Sequence, residues 1–192
     1  MKIICAATSS AGINSPVIFL KPDTAYLKNN RPFFIPDFSS DVRYKVGIAI
    51  LINRLGKNIA RRFAHRYYCE ITAGVAMTAH DLQPAGLPSA VSASFDSSAA
   101  IGDFVSLDEL GADVSAIDFH LDRDGKTVQT GNTQHLRFSA DEIIEYASRY
   151  FTLRTGDIIF IESDTADSVR AAIGNQLQGY ISDRKVLELR IK

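Results

Sequence analysis

Hydrophobic and polar positions alternate most clearly over residues 41–53. One set, Val42, Tyr44, Val46, Ile48, Ile50 and Ile52, is apolar or aromatic throughout. The other, Arg43, Lys45, Gly47, Ala49, Leu51 and Asn53, is polar at its start and mixed later. A period of two puts the sets on opposite faces of one long strand. Shorter apolar runs predict strands at 2–7, 16–20, 101–105, 158–161, 179–181 and 186–191. Pro22 cannot donate to a ladder and marks a strand end. Residues 116–121 and 127–130 flank Asp124-Gly125, a strong hairpin turn. Ser139 as N-cap, Glu142 three residues on, and an apolar face of Ile143, Ile144, Tyr146 and Ala147 predict a helix over 139–150. Residues 58–67 read as a short basic helix. Over 68–79 a β-branched start and an Ala-rich end leave strand and helix in competition, and 8–15 and 84–98 read as loops. The pattern is α+β, strand-dominated, with two or three short helices and no repeat or linker. Residues 1–192 are therefore taken as a single domain.

Composition narrows the function classes. Of 192 residues 46% are hydrophobic and 22% charged, enough to build a core and too apolar for disorder. Lys plus Arg is 21 and Asp plus Glu 22, so no global basic field draws the chain to nucleic acid or an anionic membrane. The longest apolar run, 46–52, is far below the roughly 20 residues that span a bilayer. Without a basic n-region and long h-region at its start, the sequence reads as cytoplasmic. Cys5 and Cys69 cannot form a disulfide framework and read as buried thiols.

Three constellations carry candidate chemistry. Arg54, Lys57, Arg61, Arg62, His65 and Arg66, interleaved with Phe63, Tyr67 and Tyr68, have the look of a nucleic-acid or phosphate-binding patch, but a solvated basic helix face is the favoured reading. His120 with Asp118 and Asp122 has strand spacing for a metal, yet lies beside a hairpin turn where polar residues face water. Ser9, Ser10, Ser94, Ser97 and Ser98 lack a nucleophile elbow or a linked His-Asp pair.

Six segments in order resemble the fumarylacetoacetate hydrolase family. They are Pro16-Val17-Ile18-Phe19-Leu20-Lys21-Pro22-Asp23-Thr24-Ala25, Ile35-Pro36-Asp37-Phe38-Ser39, Ile52-Asn53-Arg54-Leu55-Gly56-Lys57, Thr78-Ala79-His80-Asp81-Leu82-Gln83, Gly131-Asn132-Thr133, and Phe151-Thr152-Leu153-Arg154-Thr155-Gly156-Asp157-Ile158-Ile159-Phe160. The resemblance implies the C-terminal catalytic-domain type of that family. Its fold is a mixed β-sheet sandwich or roll, usually dimeric. Its members hydrolyse, decarboxylate, hydrate or isomerise acylpyruvates and related 2-oxo acids, with Mg²⁺ or Mn²⁺.

The same resemblance locates a degenerate site. The family's Glu-x-Glu metal pair falls on Lys45 and Gly47, and its third carboxylate on Ala76. Residues i and i+2 of a strand share one face, so two carboxylates there reach one hard cation; Lys45 and Gly47 cannot. The lid segment, about 6–15, is shortened and lacks the family's His-Glu dyad. The oxyanion lysine falls on Ala93, and the carboxylate-binding loop on Glu162-Ser163-Asp164-Thr165-Ala166. The candidate pocket residues are Lys45, Gln83, Asp81, His80 and Ser163. The expectation is a pseudoenzyme with no cofactor and a structural, regulatory or metabolite-binding role. Its partner is a second copy, an active paralogue or a small 2-oxo acid. The alternative is an altered hydrolase, isomerase or decarboxylase of small 2-oxo acids, with Lys45 as a fixed charge in the metal's place and Gln83 and Ser163 orienting the substrate.

Overall fold

A computed structural model describes residues 1–7, 14–83, 89–111 and 114–192. The strands are β1 (Ile3–Ala7), β2 (Val17–Lys21), β3 (Tyr26–Lys28), β4 (Val42–Ile52), β5 (Tyr68–Ala79), β6 (Ala99–Ile101), β7 (Val105–Ser106), β8 (Asp118–Arg123), β9 (Lys126–Asn132), β10 (Ile158–Glu162), β11 (Val169–Arg170), β12 (Gln176–Ile181) and β13 (Arg184–Arg190). The helices are α1 (Arg61–Ala64), α2 (Ser89–Ala93), α3 (Leu107–Leu110) and α4 (Ala140–Tyr150). A mixed sheet runs β2-β1-β10-β4-β5-β6-β3, with β11 beside β4 and β7 beside β5. A second sheet runs β13-β12-β8-β9.

The central pair is β4 and β5, antiparallel from Val42 opposite Ala79 to Ile52 opposite Tyr68. The apolar set of β4 faces the main core, where Val46, Ile48, Ile50 and Ile52 meet Ile71, Ala73 and Val75 of β5 and Phe119, Leu121 and Leu177 of the second sheet. The opposite face builds a smaller cluster from Ile3, Cys5, Ala49, Ala76, Ala99, Ile101, Ile158 and Phe160. Two-sided burial explains the near-continuous apolar runs. It also settles β5 as a strand to its Ala-rich end: Gly74 passes the Phe160 ring and Ala73 lies against Gly179 of β12, so small side chains serve close approach rather than helix.

Asp157 ties the edges of the fold to its centre. It is 2% exposed and accepts from Lys2 N (3.0 Å) and Arg154 N (2.8 Å), with Lys2 Nζ as an ion-pair partner. Gly156 precedes it at φ +87°, a conformation glycine adopts freely. Helix α4 starts as its sequence dictates: Ser139 Oγ accepts from Glu142 N (3.3 Å) and Glu142 Oε2 accepts from Ser139 N (2.8 Å). Ile143, Ile144 and Ala147 are buried, while Tyr146 is only partly so.

Several expectations change. The strand expected over 101–105 is two strands, β6 and β7, broken at Gly102, where a Cβ would lie 2.6 Å from Thr72 Oγ1 and 2.7 Å from Val186 O. The 84–98 loop contains α2, and its residues 84–88 lie outside the described residues. The basic helix shrinks to α1 and one 3-10 turn. Cys5 is buried, but Cys69 is exposed, because it lies on the half-solvated start of β5, with Asn53 Nδ2 donating to its sulfur at 3.3 Å. Most of the lid, residues 8–13, lies outside the described residues, with Ser9 and Ser10. No helix among the described residues is long and apolar enough to cross a membrane.

Ser139→Ala removes one half of the capping box. The expected outcome is a loss of about 1 kcal/mol, read as a lower midpoint in urea with an unchanged slope.

Candidate functional site

Directly opposed residues of an antiparallel pair share a face. Lys45 stands opposite Ala76, Arg43 opposite Thr78 and Gly47 opposite Gly74. On the other side of β4, Gly47 stands opposite Glu162, the last residue of β10. Glu162 is therefore a diagonal neighbour of Lys45 on one face, with no side chain at Gly47 between them. Beyond Glu162 the chain leaves the ladder, with Ser163 N donating to Val46 O at 3.0 Å, and returns as β11 beside Tyr44 and Arg43.

That detour walls a cavity of about 300 Å³ lined by Arg43, Lys45, Ala76, Thr78, His80, Gln83 and Glu162, with residues 166–168 closing it. Gln129 of β9 fixes the wall. It is 4% exposed, its Oε1 accepts from Val46 N at 2.9 Å, and its amide donates to Asp167 O. Of the expected pocket residues, Lys45, His80 and Gln83 converge here, with Ala76. Ser163 and Asp81 lie elsewhere. Ser163 is buried and shares a 3.1 Å hydroxyl contact with Thr165, because the turn after β10 carries it away from the cavity. Asp81 accepts from Ser39 Oγ (2.6 Å), Ser40 N (2.8 Å) and Ser40 Oγ (3.0 Å), so it holds the 39–40 turn against the end of β5.

Charge at the cavity mouth is organised by Asp41. Arg43 donates to it through Nε and Nη2 (2.9 to 3.2 Å), Arg170 Nε lies 3.7 Å away and His80 Nδ1 3.4 Å away. The Arg43 hydrogen bonds hold the Asp41 carboxyl below its ordinary range, and the Ser39 and Ser40 donors hold Asp81 down to about 2. Deeper in, Lys21 is 1% exposed; its Nζ donates to Ser98 O (3.1 Å), Ser98 Oγ (3.0 Å) and Ala93 O. The resemblance puts the family's lysine at Ala93, and the Lys21 side chain reaches that residue's carbonyl. Burial lowers the Lys21 pKa and pushes the Cys5 thiol up to about 12, so Cys5 is an inert thiol.

The other constellations resolve into packing. Arg61 pairs with Glu142 at 2.8 Å, Arg62 and Arg66 flank the Phe63 ring at 4.7 and 4.9 Å, and Lys57 Nζ donates to Arg149 O, so the basic segment lies along α4. His120 stacks on Tyr180 at 4.4 Å, while Asp122 accepts from Thr127 and Asp118 from Asn132. Among the described residues no three His, Cys, Asp or Glu side chains gather as ligands for one ion. A larger cavity, about 470 Å³, lies at the α4 N-terminus, where Arg61 and Glu142 pair with each other and Ser139 and Glu142 form the capping box.

The chain matches the fumarylacetoacetate (FAA) hydrolase C-terminal family over residues 6–191 and belongs to that family. It is 37% identical over 148 residues to an uncharacterised protein of Pyrococcus abyssi, covering 75% of this chain and 65% of that one. It is 32% identical over 154 residues to the mitochondrial oxaloacetate tautomerase of Rattus norvegicus, covering 78% of this chain and 69% of the relative. The chain thus spans about two thirds of the length of these relatives. A solved fumarylacetoacetate hydrolase family protein from Yersinia pestis superposes with a TM-score of 0.89 at 28% identity, over 100% of this chain and 93% of that one. A fumarylpyruvate hydrolase from Pseudomonas aeruginosa, solved with Mn²⁺ and pyruvate, gives 0.87 at 23% identity, over 100% and 89%; at that identity the likeness speaks for the fold.

The family implies a divalent cation, and the residues at the three positions that the resemblance assigns to its ligands, 45, 47 and 76, carry no donor for one. Lys45 brings an ammonium, Ala76 a methyl group and Gly47 no side chain. An acid at position 47 would not restore the site in this backbone, since a Cβ there would lie 2.3 Å from Ile161 O and 2.9 Å from the Phe160 ring. Arg43, Thr78 and Gln129 are site residues that the sequence does not mark as such, and Glu162 is marked only as the first residue of the 162–166 loop. Alternation along β4 groups Arg43 with Lys45, but the register that brings Glu162 opposite Gly47 has no signal in one sequence.

Asp81 titrates lower in the fold than in the open chain, so its contribution to stability is full above 3.8 and is lost as pH falls toward about 2. Asp81→Asn is expected to flatten the fall of the melting temperature across that window, measured by calorimetry at stepped pH. An unchanged slope would contradict the assignment.

Proposed function

We propose that this chain acts on small 2-oxo acids, such as acylpyruvates or oxaloacetate, by hydrolysis, isomerisation or decarboxylation. Lys45 supplies the positive charge at the 2-oxo group. The observation that carries the reading is the open, polar cavity around Lys45. A scaffold would leave this place filled or apolar with Lys45 against Asp81, whereas Asp81 bonds to Ser39 and Ser40 and the cavity holds Lys45 with Arg43, Thr78, His80 and Gln83. Similarity to an oxaloacetate tautomerase supports the substrate class.

Each part of the cavity has work to do. Gly47 and Ala76 leave room beside Lys45 for a three- or four-carbon acid. Arg43, already paired with Asp41, lines the cavity, and the Thr78 hydroxyl and Gln83 amide supply neutral hydrogen bonds to the substrate carboxylate. Glu162 is the carboxylate placed to take or return a proton. A unit charge about 4 Å from a developing enolate oxygen contributes about 4 kcal/mol at an effective dielectric of 20, roughly half what a dication would. The cytoplasmic setting read from the sequence and the homodimer implied by the family belong to the same proposal.

Turnover of oxaloacetate or an acylpyruvate is expected to survive excess EDTA and to fall about 100-fold or more in Lys45→Ala, in line with the loss of a preorganised electrostatic group. Activity that appears only on adding Mn²⁺, or an equally active variant, would contradict the proposal. Absence of both turnover and binding across these acids would return the catalytically silent reading.

A further inference from the structure

The geometry points to Lys45 as a covalent catalyst that forms an imine with the 2-oxo group of its substrate, with Glu162 as the proton carrier. This rests on the 2-oxo acid reading above and deepens it. A fixed ammonium offers about half the field of a divalent ion. A protonated imine instead places the charge in conjugation with C2, where the electron pair must go. Lysine is the residue type that does this with carbonyl substrates.

The surroundings provide for such a step. Lys45 lines the cavity on the face where position 47 has no side chain and position 76 only a methyl, so a ketone carbon can approach the amine from the cavity side. Glu162, diagonal across Gly47, lines the same cavity. The carboxylate of Glu162 takes one proton from the Lys45 ammonium. The freed electron pair of Nζ adds to C2, giving a carbinolamine. Glu162 returns the proton to the departing hydroxyl, which leaves as water, and a protonated imine remains. The electron pair of the C3–carboxylate bond, as CO₂ leaves, or of a C3–H bond, as its proton leaves, then moves toward the imine nitrogen and forms an enamine. Protonation at C3 and hydrolysis by water release the product and restore the lysine. No oxidant or second substrate is needed.

The test is reductive trapping on the full chain, with pyruvate and sodium borohydride in EDTA, followed by intact mass and peptide mapping. Oxalate, which has no ketone, serves as competitor, and its own binding is followed by calorimetry. The expected result is one carboxyethyl group on Lys45, suppressed by oxalate and lost entirely in Lys45→Met and in Lys45→Arg. The arginine variant keeps the cation, and matching melting curves show that both variants are folded. Adducts spread over other lysines, insensitive to oxalate or undiminished in folded variants, would overturn the imine. Oxalate binding without any adduct would also overturn it while leaving the anion pocket intact. Neither binding nor adduct would remove both.

Discussion

The antiparallel pairing of β4 with β5 is the constraint on which the rest depends. Its register, from Val42 opposite Ala79 to Ile52 opposite Tyr68, commits one face of both strands to the main core. A slip by one residue would send Ile48 and Ile50 to the cavity side and Lys45 into the core. Burying an unpaired lysine there would cost several kcal/mol, so the apolar set fixes the position of the polar one. The site is in this sense a by-product of core burial: Arg43, Lys45, Gly47 and Ala76 face the cavity because their neighbours cannot.

Small residues do the second part of the work. Gly47, Gly74 and Ala76 let the Phe160 ring cross the face and leave open volume beside Lys45. The cavity is closed by a segment that carries no regular structure between β10 and β11, and Gln129 from the other sheet holds it through one bond to Val46 N and one to Asp167 O. A site built on rigid strands, with one wall clamped from a second layer, keeps its charged groups in fixed relation to one another. Its lining is mixed in sign: Arg43 and Lys45 stand with the carboxylates of Glu162 and Asp167, and Asp41 pairs with Arg43 at the mouth.

Local patterns made much of the fold legible. Alternation located β4 and its buried face, the Asp124-Gly125 turn located the β8–β9 hairpin, and Ser139 with Glu142 located the start of α4. Elements set by distant partners were not legible. The break at Gly102 comes from backbone on β5 and β13, and the strand state of the Ala-rich end of β5 comes from packing against Phe160 and Gly179. The site divides in the same way. Lys45, Gly47 and Ala76 fell on family positions, and His80 and Gln83 followed in sequence. Glu162, by contrast, depends on the register of β10, and Asp81 and Ser163 turned to local hydrogen bonds.

Titration calorimetry with oxalate in excess EDTA, on the wild-type chain and on Lys45→Met, decides whether Lys45 supplies the positive charge that holds an anion in this cavity. Binding to the wild type without metal and at least a tenfold loss in the variant, about 1.4 kcal/mol or more, are expected. Binding that requires added Mn²⁺, or equal affinity in both proteins, would contradict that role of Lys45.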